Sequence, residues 1–391
     1  MPMHAVLRTT AMAVLLFLSA CGGGGGGGGG PAGTPGKVAV TDGVASGGRA
    51  AGETVHVFAD PAPDGQVFDH WAGDTSGLAD PESWHTTFRL GNRDVNLRAV
   101  FAPAADWNPT TELVNGESFM YHVPSNPKGL VLFFHGLNGD AALWFTHPEY
   151  LAFLRATVAR GYGVAALTSS GLGSDWRLEP IALTNPDIRN VVEAWGRLVS
   201  SGVIGAITPV FTVGLSDGGR FSVRLCSLVP CIAQALIASQ GDPPSLMGTT
   251  TVPTRFNMLE RDTQGFVDAV AAKRYSDEMV TRGVVSEFEL LGPSPVYPER
   301  FARIPGLTVT DSRIIHDALA DAGYLDANDF LLDDPYLNAS GWREVIPARY
   351  DEIPMRYYLE EELDNAWSAH GFYGEHFPRT MRFFEQALAA R

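Results

Sequence analysis

The hydrophobic pattern of the chain changes its period near residue 105. Before that point, apolar and polar residues alternate in short bursts at residues 37–41, 54–58 and 96–101, with Gly, Asp and Pro between them. Alternation with a period of two predicts short strands with one buried face. After that point, apolar runs alternate with stretches of helical periodicity. This second pattern predicts a parallel sheet covered by helices.

The second part of the chain contains seven predicted strands and five predicted helices. The strands are residues 118–122, 129–134, 162–167, 210–213, 235–239, 255–259 and 287–291. The helices are residues 149–160, 187–200, 221–228, 312–322 and 378–390. The run 129–134 is apolar throughout, which is typical of a central strand buried on both faces. The segment from about residue 293 to 347 separates the last strand from the terminal helix, and we expect it to be an insertion.

Composition limits the classes of function. The 391 residues are 45% hydrophobic and 18% charged, enough for a sizeable core and for two or more domains. Lys and Arg number 28 against 44 Asp and Glu, a net charge of −16, which argues against nucleic acid as a partner.

Three cysteines are too few for a disulfide scaffold or a four-cysteine zinc site. Cys226 and Cys231 can pair in an oxidising compartment, and the sequence leaves that open. The spacing of His56, His70 and His85 matches no ligand motif, so we expect no metal.

The amino terminus indicates an export signal. Residues 11–18 form an apolar stretch that is far shorter than the ~20 residues needed to cross a bilayer. Residues 18–21, Leu-Ser-Ala-Cys, resemble the bacterial lipoprotein signal. The resemblance implies removal of residues 1–20 and lipidation of Cys21, and therefore a protein anchored to the membrane of the bacterial cell envelope, on its periplasmic face or at the cell surface. An ordinary secretory signal with a chance cysteine is the alternative. Residues 21–36, with nine consecutive glycines, predict a flexible tether.

Residues 37–104 resemble the divergent bacterial surface repeat. The resemblance rests on the Gly-Glu-Thr-Val strand at 52–55, the Phe-Asp-His-Trp turn at 68–71 and the closing strand at 95–101. It implies a small β-rich module that serves as a spacer or an adhesion unit.

Ser216 is the candidate nucleophile. It is the central residue of Gly-Leu-Ser-Asp-Gly at 214–218, which follows the strand 210–213 and precedes the helix expected from residue 221. A serine on a tight turn between a strand and a helix is the arrangement of a nucleophile elbow, in which glycines allow a strained turn and close packing. A plain surface turn is the alternative.

The motif after the strand 129–134 extends this interpretation. His135 and Gly136 follow that strand, and together with the serine motif they resemble the α/β-hydrolase superfamily. The resemblance implies an α/β-hydrolase fold over residues 105–391, a mostly parallel sheet flanked by helices with an inserted cap. It also implies an oxyanion hole made by the backbone amides of Leu137, with Asn138 as a neighbouring candidate, and of Asp217. His135 is expected to support this loop.

The superfamily order of nucleophile, acid and base directs the search for the other two groups. Asp262 follows the strand 255–259 and is the expected acid, with Asp242 as the alternative. For the base, residues 370–374 are similar to the His-x-aromatic-x-Gly stretch of secreted polyester depolymerases and feruloyl esterases. This similarity implies His370, with His376 as the alternative.

These observations predict a lipid-anchored serine hydrolase that cleaves carboxylic esters through an acyl-enzyme. Its partners are an ester substrate, small or polymeric, and the membrane that holds the anchor at Cys21, and no cofactor or nucleic acid is expected. Two other functions remain open. One is a peptidase of the prolyl-oligopeptidase type, and the other is a non-catalytic surface-binding protein on a hydrolase scaffold. His316 lies in a helical pattern and is expected to be structural.

Overall fold

The computed structural model describes residues 34–171, 175–264, 267–337 and 339–391. The expected signal sequence, Cys21 and most of the glycine tether lie outside the described residues. Among the described residues, none of the helices combines the length and the apolar character that a bilayer crossing requires.

The amino-terminal module consists of two three-stranded sheets. Its strands are β1 (Val38–Thr41), β2 (Gly43–Gly47), β3 (Thr54–Ala59), β4 (Gln66–Gly73), β5 (His85–Arg89) and β6 (Val95–Pro103). The first sheet has the order β1-β6-β4 and the second β2-β3-β5. Alternate residues of these strands form a shared core, which includes Val57, Phe58, Trp71 and Leu97. The β-rich module expected from the period-two pattern is confirmed. The turn expected at residues 68–71 was wrong: these residues lie inside β4, where the pairing with β6 has an irregularity between Phe68 and His70.

The second part of the chain contains a mostly parallel sheet, which has eight strands among the described residues. They are β7 (Thr110–Val114), β8 (Glu117–His122), β9 (Leu130–Phe134), β10 (Gly163–Leu167), β11 (Val210–Leu215), β12 (Ala233–Ile237), β13 (Thr254–Leu259) and β14 (Ser286–Leu291). Their order is β14-β13-β12-β11-β9-β10-β8-β7, and only the pairings made by β8 are antiparallel. The central strands β9 to β13 are buried along their whole length, because helices cover both faces.

Helices flank this sheet on both sides. In the described part of the chain they are α1 (Ala141–Thr146), α2 (Pro148–Ala159), α3 (Pro186–Ser200), α4 (Asp217–Cys226), α5 (Pro244–Met247), α6 (Ala269–Thr281), α7 (Val309–Asp321), α8 (Ala339–Val345), α9 (Met355–Trp367) and α10 (Phe377–Ala389). Helices α1, α2 and α10 share one hydrophobic core with the sheet, and α3 and α4 share another. This mostly parallel sheet between two helical layers is the α/β-hydrolase fold that the sequence predicts.

The segment between β14 and α10, which contains the insertion expected at about residues 293–347, has a core of its own that also includes α9, beyond residue 347. Helices α7, α8 and α9 pack together there around Trp342, Leu359 and Leu363. A fully buried ion pair joins two of its segments, because Arg300 Nε donates to Glu362 Oε2 at 3.0 Å and both side chains are 1% exposed. The insertion returns the chain to the sheet at residue 368, where the candidate site begins.

Candidate active site

Ser216 lies between the end of β11 and the start of α4. Its backbone has φ 53° and ψ −116°, in the left-handed half of the map, which is a strained conformation for a residue with a side chain. Its amide donates to the carbonyl of Ile237 at 2.8 Å, which ties the turn to the neighbouring strand β12. The structure thus has the strand, tight turn and helix expected around Ser216.

The glycines of this motif allow backbone segments to touch. A Cβ atom added to Gly218 would lie 2.2 Å from the carbonyl oxygen of Phe134, at the end of β9. The helix begins at Asp217 and not at residue 221, so the expected start was wrong. Gly218 and Gly219 lie inside the first turn of the helix despite the low helix propensity of glycine, because a Cβ atom on either would collide with a neighbouring segment, the end of β9 or Ser239.

The loop after β9 lies beside Ser216. A Cβ atom on Gly136 would be 3.4 Å from the Cβ of Ser216, an ordinary contact distance. This proximity brings the loop that carries the amides of Leu137 and Asn138 next to the turn that carries the amide of Asp217. Asn138 has φ 62°, so the loop bends sharply at this point.

His135 supports this loop through contacts of its ring and of its backbone carbonyl. Its side chain is completely buried, Nε2 accepts from the amide of Ser169 at 3.1 Å, and Nδ1 lies 2.7 Å from the carbonyl of Gly136. Since Nε2 accepts, the proton is on Nδ1, and burial lowers the pKa of the ring. The carbonyl of His135 also accepts from the indole nitrogen of Trp176 at 2.8 Å. Both ring nitrogens of His135 thus have partners, the carbonyl of Gly136 in the loop and the amide of Ser169.

Asp262 and His370 come together at the carboxyl ends of the parallel strands. His370 Nδ1 lies 2.7 Å from Asp262 Oδ2, and the side chain of Asp262 is 2% exposed against 19% for His370. The other oxygen, Oδ1, accepts from the amide of Gln264 at 3.0 Å. The alternative acid, Asp242, instead pairs with Arg220, whose Nε and Nη2 donate to Oδ2 at 2.9 and 2.5 Å.

Ser368 connects the end of the insertion to the sheet. This residue ends α9 in the left-handed conformation, with φ 68°. Its hydroxyl donates to the carbonyl of Leu291 at 2.7 Å and accepts from the amide of Glu260 at 3.0 Å. The segment that carries His370 is thereby attached to the ends of β13 and β14. A serine in an unremarkable sequence context gave no signal of this role.

The other two late histidines have different surroundings. His376 is completely buried, with Nδ1 3.4 Å from Glu289 Oε2, and burial lowers its pKa to about 3. His316 lies in α7, where its ring nitrogens face Asp317 and Asp329 at 3.0 and 3.3 Å.

A carboxyl pair beside the turn was not expected from the sequence. Burial, together with a hydrogen bond to Asp175 and the charge of that residue, raises the pKa of Asp217 to about 7. The carboxyl group of Asp217 also accepts from the amide of Trp176 at 3.1 Å and from Arg220 Nη1 at 3.3 Å. The sequence indicated a role only for the backbone amide of Asp217, in the oxyanion hole. It gave no sign of the carboxyl pair, because Asp175 lies 42 positions earlier and no sequence motif relates the two residues.

Cys226 and Cys231 form a disulfide at the carboxyl end of α4, away from Ser216 at its amino end. In the described ranges, no group of three or more His, Cys, Asp or Glu side chains is placed to hold a metal ion.

Residues 31–105 match the family model of the divergent InlB B-repeat domain. A comparison with curated proteins found no match. Among solved structures, a predicted CIB-like hydrolase from Thermoplasma acidophilum is similar at 20% identity and TM-score 0.35, over 53% of this chain and 97% of that one. A sugar hydrolase from Lactococcus lactis is similar at 16% identity and TM-score 0.38, over 51% and 89%. A dienelactone hydrolase from Anabaena variabilis is similar at 15% identity and TM-score 0.37, over 49% and 87%.

None of these TM-scores reaches 0.5, so the similarities decide nothing about the substrate of this chain. The assignment of the fold rests instead on the order and direction of its own strands. The chain therefore combines a segment that matches the divergent InlB B-repeat domain with a domain of the α/β-hydrolase fold.

Proposed function

We propose that this protein is a serine hydrolase that cleaves carboxylic esters. The observation that carries the proposal is the 2.7 Å contact between His370 and Asp262, which are 108 positions apart in the chain. Asp262 follows β13 and Ser216 follows β11, and both strands run in the same direction in the sheet. The carboxyl ends of parallel strands meet at one edge, which is where open α/β sheets bind their ligands.

The proposed reaction begins with attack of the Ser216 hydroxyl oxygen on the ester carbonyl carbon. His370 Nε2 takes the hydroxyl proton, while Asp262 accepts from Nδ1–H and stabilises the positive ring that forms. The negative carbonyl oxygen receives hydrogen bonds from the amides of Leu137 and Asp217. Loss of one such donor typically costs about 3 to 4 kcal/mol of transition-state stabilisation.

Collapse of this intermediate breaks the bond to the alcohol, which leaves with the proton from His370. The acyl group is then bound to Ser216. Water attacks the acyl-enzyme with His370 again as base, and the carboxylic acid is released. In this mechanism the chain supplies every group, and we assign no role to a cofactor.

We also propose that Cys21 carries a lipid anchor and that the protein acts on the cell envelope, on the periplasmic face or at the surface. The match of residues 31–105 to a bacterial surface-repeat domain supports an extracytoplasmic location. The test is Cys21→Ser, which is expected to abolish incorporation of labelled fatty acid and to move the chain out of the detergent phase.

The decisive experiment for the activity is labelling with a fluorophosphonate probe, followed by turnover of p-nitrophenyl esters and peptide p-nitroanilides. The wild type is expected to label at Ser216 and to prefer esters, and Ser216→Ala is expected to lose both labelling and turnover. Ser222→Ala is a matched control, because Ser222 is a fully buried serine of α4, the helix that follows Ser216, and its hydroxyl has no partner among the described residues.

Each outcome assigns one function. Preference for the anilides indicates a peptidase. An unlabelled, correctly folded wild type indicates a surface-binding protein on a hydrolase scaffold.

A further inference from the structure

The repeat module is packed against the domain of hydrolase fold. Tyr297 of the insertion is 2% exposed and belongs to the module's own hydrophobic core, where it stacks on Phe58 with ring centroids 4.0 Å apart. The guanidinium of Arg303 lies 3.4 Å from the ring centroid of Trp84. Side chains of the second domain thus complete the hydrophobic core of the module, as expected for two domains that pack in a fixed arrangement.

Ion pairs border this apolar contact. Asp80 is 3% exposed and lies 2.5 Å from Arg382 and 3.3 Å from Arg379, both on α10. Glu82 contacts Arg382 at 2.9 Å and Arg160, beside α2, at 3.1 Å. Since charged groups are costly to bury without partners, these pairs hold the module in one orientation.

His85, on strand β5 of the module, reaches the segment that follows His370. Its Nδ1 lies 2.7 Å from Glu375 Oε1, and the two side chains are 8% and 11% exposed. Its Nε2 lies 2.9 Å from His56 Nδ1. The two atoms are close enough for an ion pair, although their arrangement is not that of a well-directed hydrogen bond.

The surroundings of Glu375 keep it ionised. Burial raises the pKa of its carboxyl, but the neighbouring His85 and the charge of Arg300 outweigh this effect, and the pKa is lowered overall. The module therefore supplies one of the groups that stabilise a buried carboxylate of the other domain.

Glu375 is five residues after His370, and the intervening segment is tied together. The hydroxyl of Tyr373 donates to the carbonyl of Ala369 at 3.0 Å, directly before His370. Tyr373 is itself 2% exposed. Tyr373, two residues before Glu375, thus contacts the backbone directly before the imidazole of His370.

We propose that His85 is a positioning residue of the hydrolase site, and that the repeat module holds the His370 segment in its productive geometry through the His85–Glu375 contact. This inference rests on the proposed function. It assigns the module a part in the reaction besides that of a spacer.

The test compares His85→Leu with His85→Asn in the full-length protein purified in detergent. The two new side chains have nearly the same shape, but only Asn keeps an N–H donor near the position of Nδ1. His70→Leu is the control, because His70 is a half-exposed histidine of the same module that contacts Asp69. The readouts are kcat and KM for a p-nitrophenyl ester, the rate of fluorophosphonate labelling and the thermal midpoint.

We expect His85→Leu to lower kcat and the labelling rate about ten- to a hundredfold, the cost of a misplacement of about 1 Å, with little change in KM. His85→Asn is expected to restore most of this loss, and His70→Leu to match the wild type. Wild-type kcat in His85→Leu refutes the positioning role. Equal losses in the Leu and Asn variants, in step with a lower thermal midpoint, also refute it, because packing alone then explains them. A wild type that does not label at Ser216 refutes the proposed function itself, and the positioning role with it.

Discussion

Replacement of Asp262 by Asn tests the orientation of the proposed base. The carboxyl of Asp262 makes two contacts: Oδ1 accepts from the amide of Gln264 at 3.0 Å, and Oδ2 lies 2.7 Å from His370 Nδ1. In Asp262→Asn, the carbonyl oxygen of the amide satisfies the Gln264 N–H, so its NH2 group faces His370. The imidazole must then accept at Nδ1 and carry its proton on Nε2, the tautomer that cannot take a proton from Ser216.

The size of the effect follows from burial and distance. The side chain of Asp262 is 2% exposed, so water does not replace the lost charge. A carboxylate about 4 Å from the centre of a positive imidazole stabilises it by about 4 kcal/mol at an effective dielectric constant of about 20. At about 1.4 kcal/mol per decade, this is a factor of about a thousand in kcat, and the wrong tautomer adds to it.

The assay is p-nitrophenyl ester turnover at pH 8 with the thermal midpoint as a check of folding, and Asp242→Asn is the matched control. Asp242 binds Arg220 through Oδ2 at 2.5 Å, and its side chain is 27% exposed. We expect Asp242→Asn to keep kcat within a few-fold of the wild type. A loss of less than tenfold in Asp262→Asn, or an equal loss in the two variants, would contradict the assignment of Asp262 as the acid.

Two further predictions concern buried titratable groups. Burial, with the charges of nearby carboxylates, raises the pKa of Asp364 to about 7, so the folded protein keeps a proton that the unfolded chain releases near pH 4, and stability falls as the pH rises from about 4 to about 7. Asp364→Asn should therefore match the wild-type free energy of unfolding near pH 4 and exceed it at pH 8, by at most about 4 kcal/mol and less after solvent screening. Denaturant unfolding at the two pH values measures this, and an equal difference at both counts against the raised pKa. His376→Asn should keep kcat within a few-fold even if the thermal midpoint drops, because this ring is completely buried against Glu289, whereas His370→Asn should lose at least about a thousandfold. The reverse ranking in the same ester assay would identify His376 as the base.

Much of the fold was predictable because its signals are local. The run 129–134 is apolar at every position, and the structure has the buried strand Leu130–Phe134 there. The module's alternating bursts at 37–41 and 54–58 correspond to Val38–Thr41 and Thr54–Ala59. The period of the apolar residues shows whether one or both faces of a strand are buried, so these elements could be predicted without tertiary information.

The candidate site was predictable only in part. Gly214 and Gly218 reveal a tight turn around Ser216, because close backbone contact excludes larger residues. The pairing of Asp217 with Asp175 had no such signal, since the hydrogen bond joins the first residue of α4 to a segment that meets it only in the folded chain. The start of α4 was misjudged for a related reason: propensity describes an isolated helix, while Gly219 packs closely against Ser239, just beyond the end of β12.

The amino-acid sequence alone indicated the central strands, five of the helices, the export signal's resemblance, the surface-repeat resemblance and the turn at residue 216, because each depends on residues close together in the chain. It did not predict β7, α1, α6 or α9. Tertiary structure decided which carboxylate meets which imidazole: Asp262 and not Asp242 contacts His370, across 108 positions. It also decided that the repeat module packs on the second domain through His85 and Glu375. These contacts depend on how the insertion folds back to Ser368 and on which surfaces of the two domains pack together. Neither can be predicted from the periodicity or the spacing of residues in the sequence.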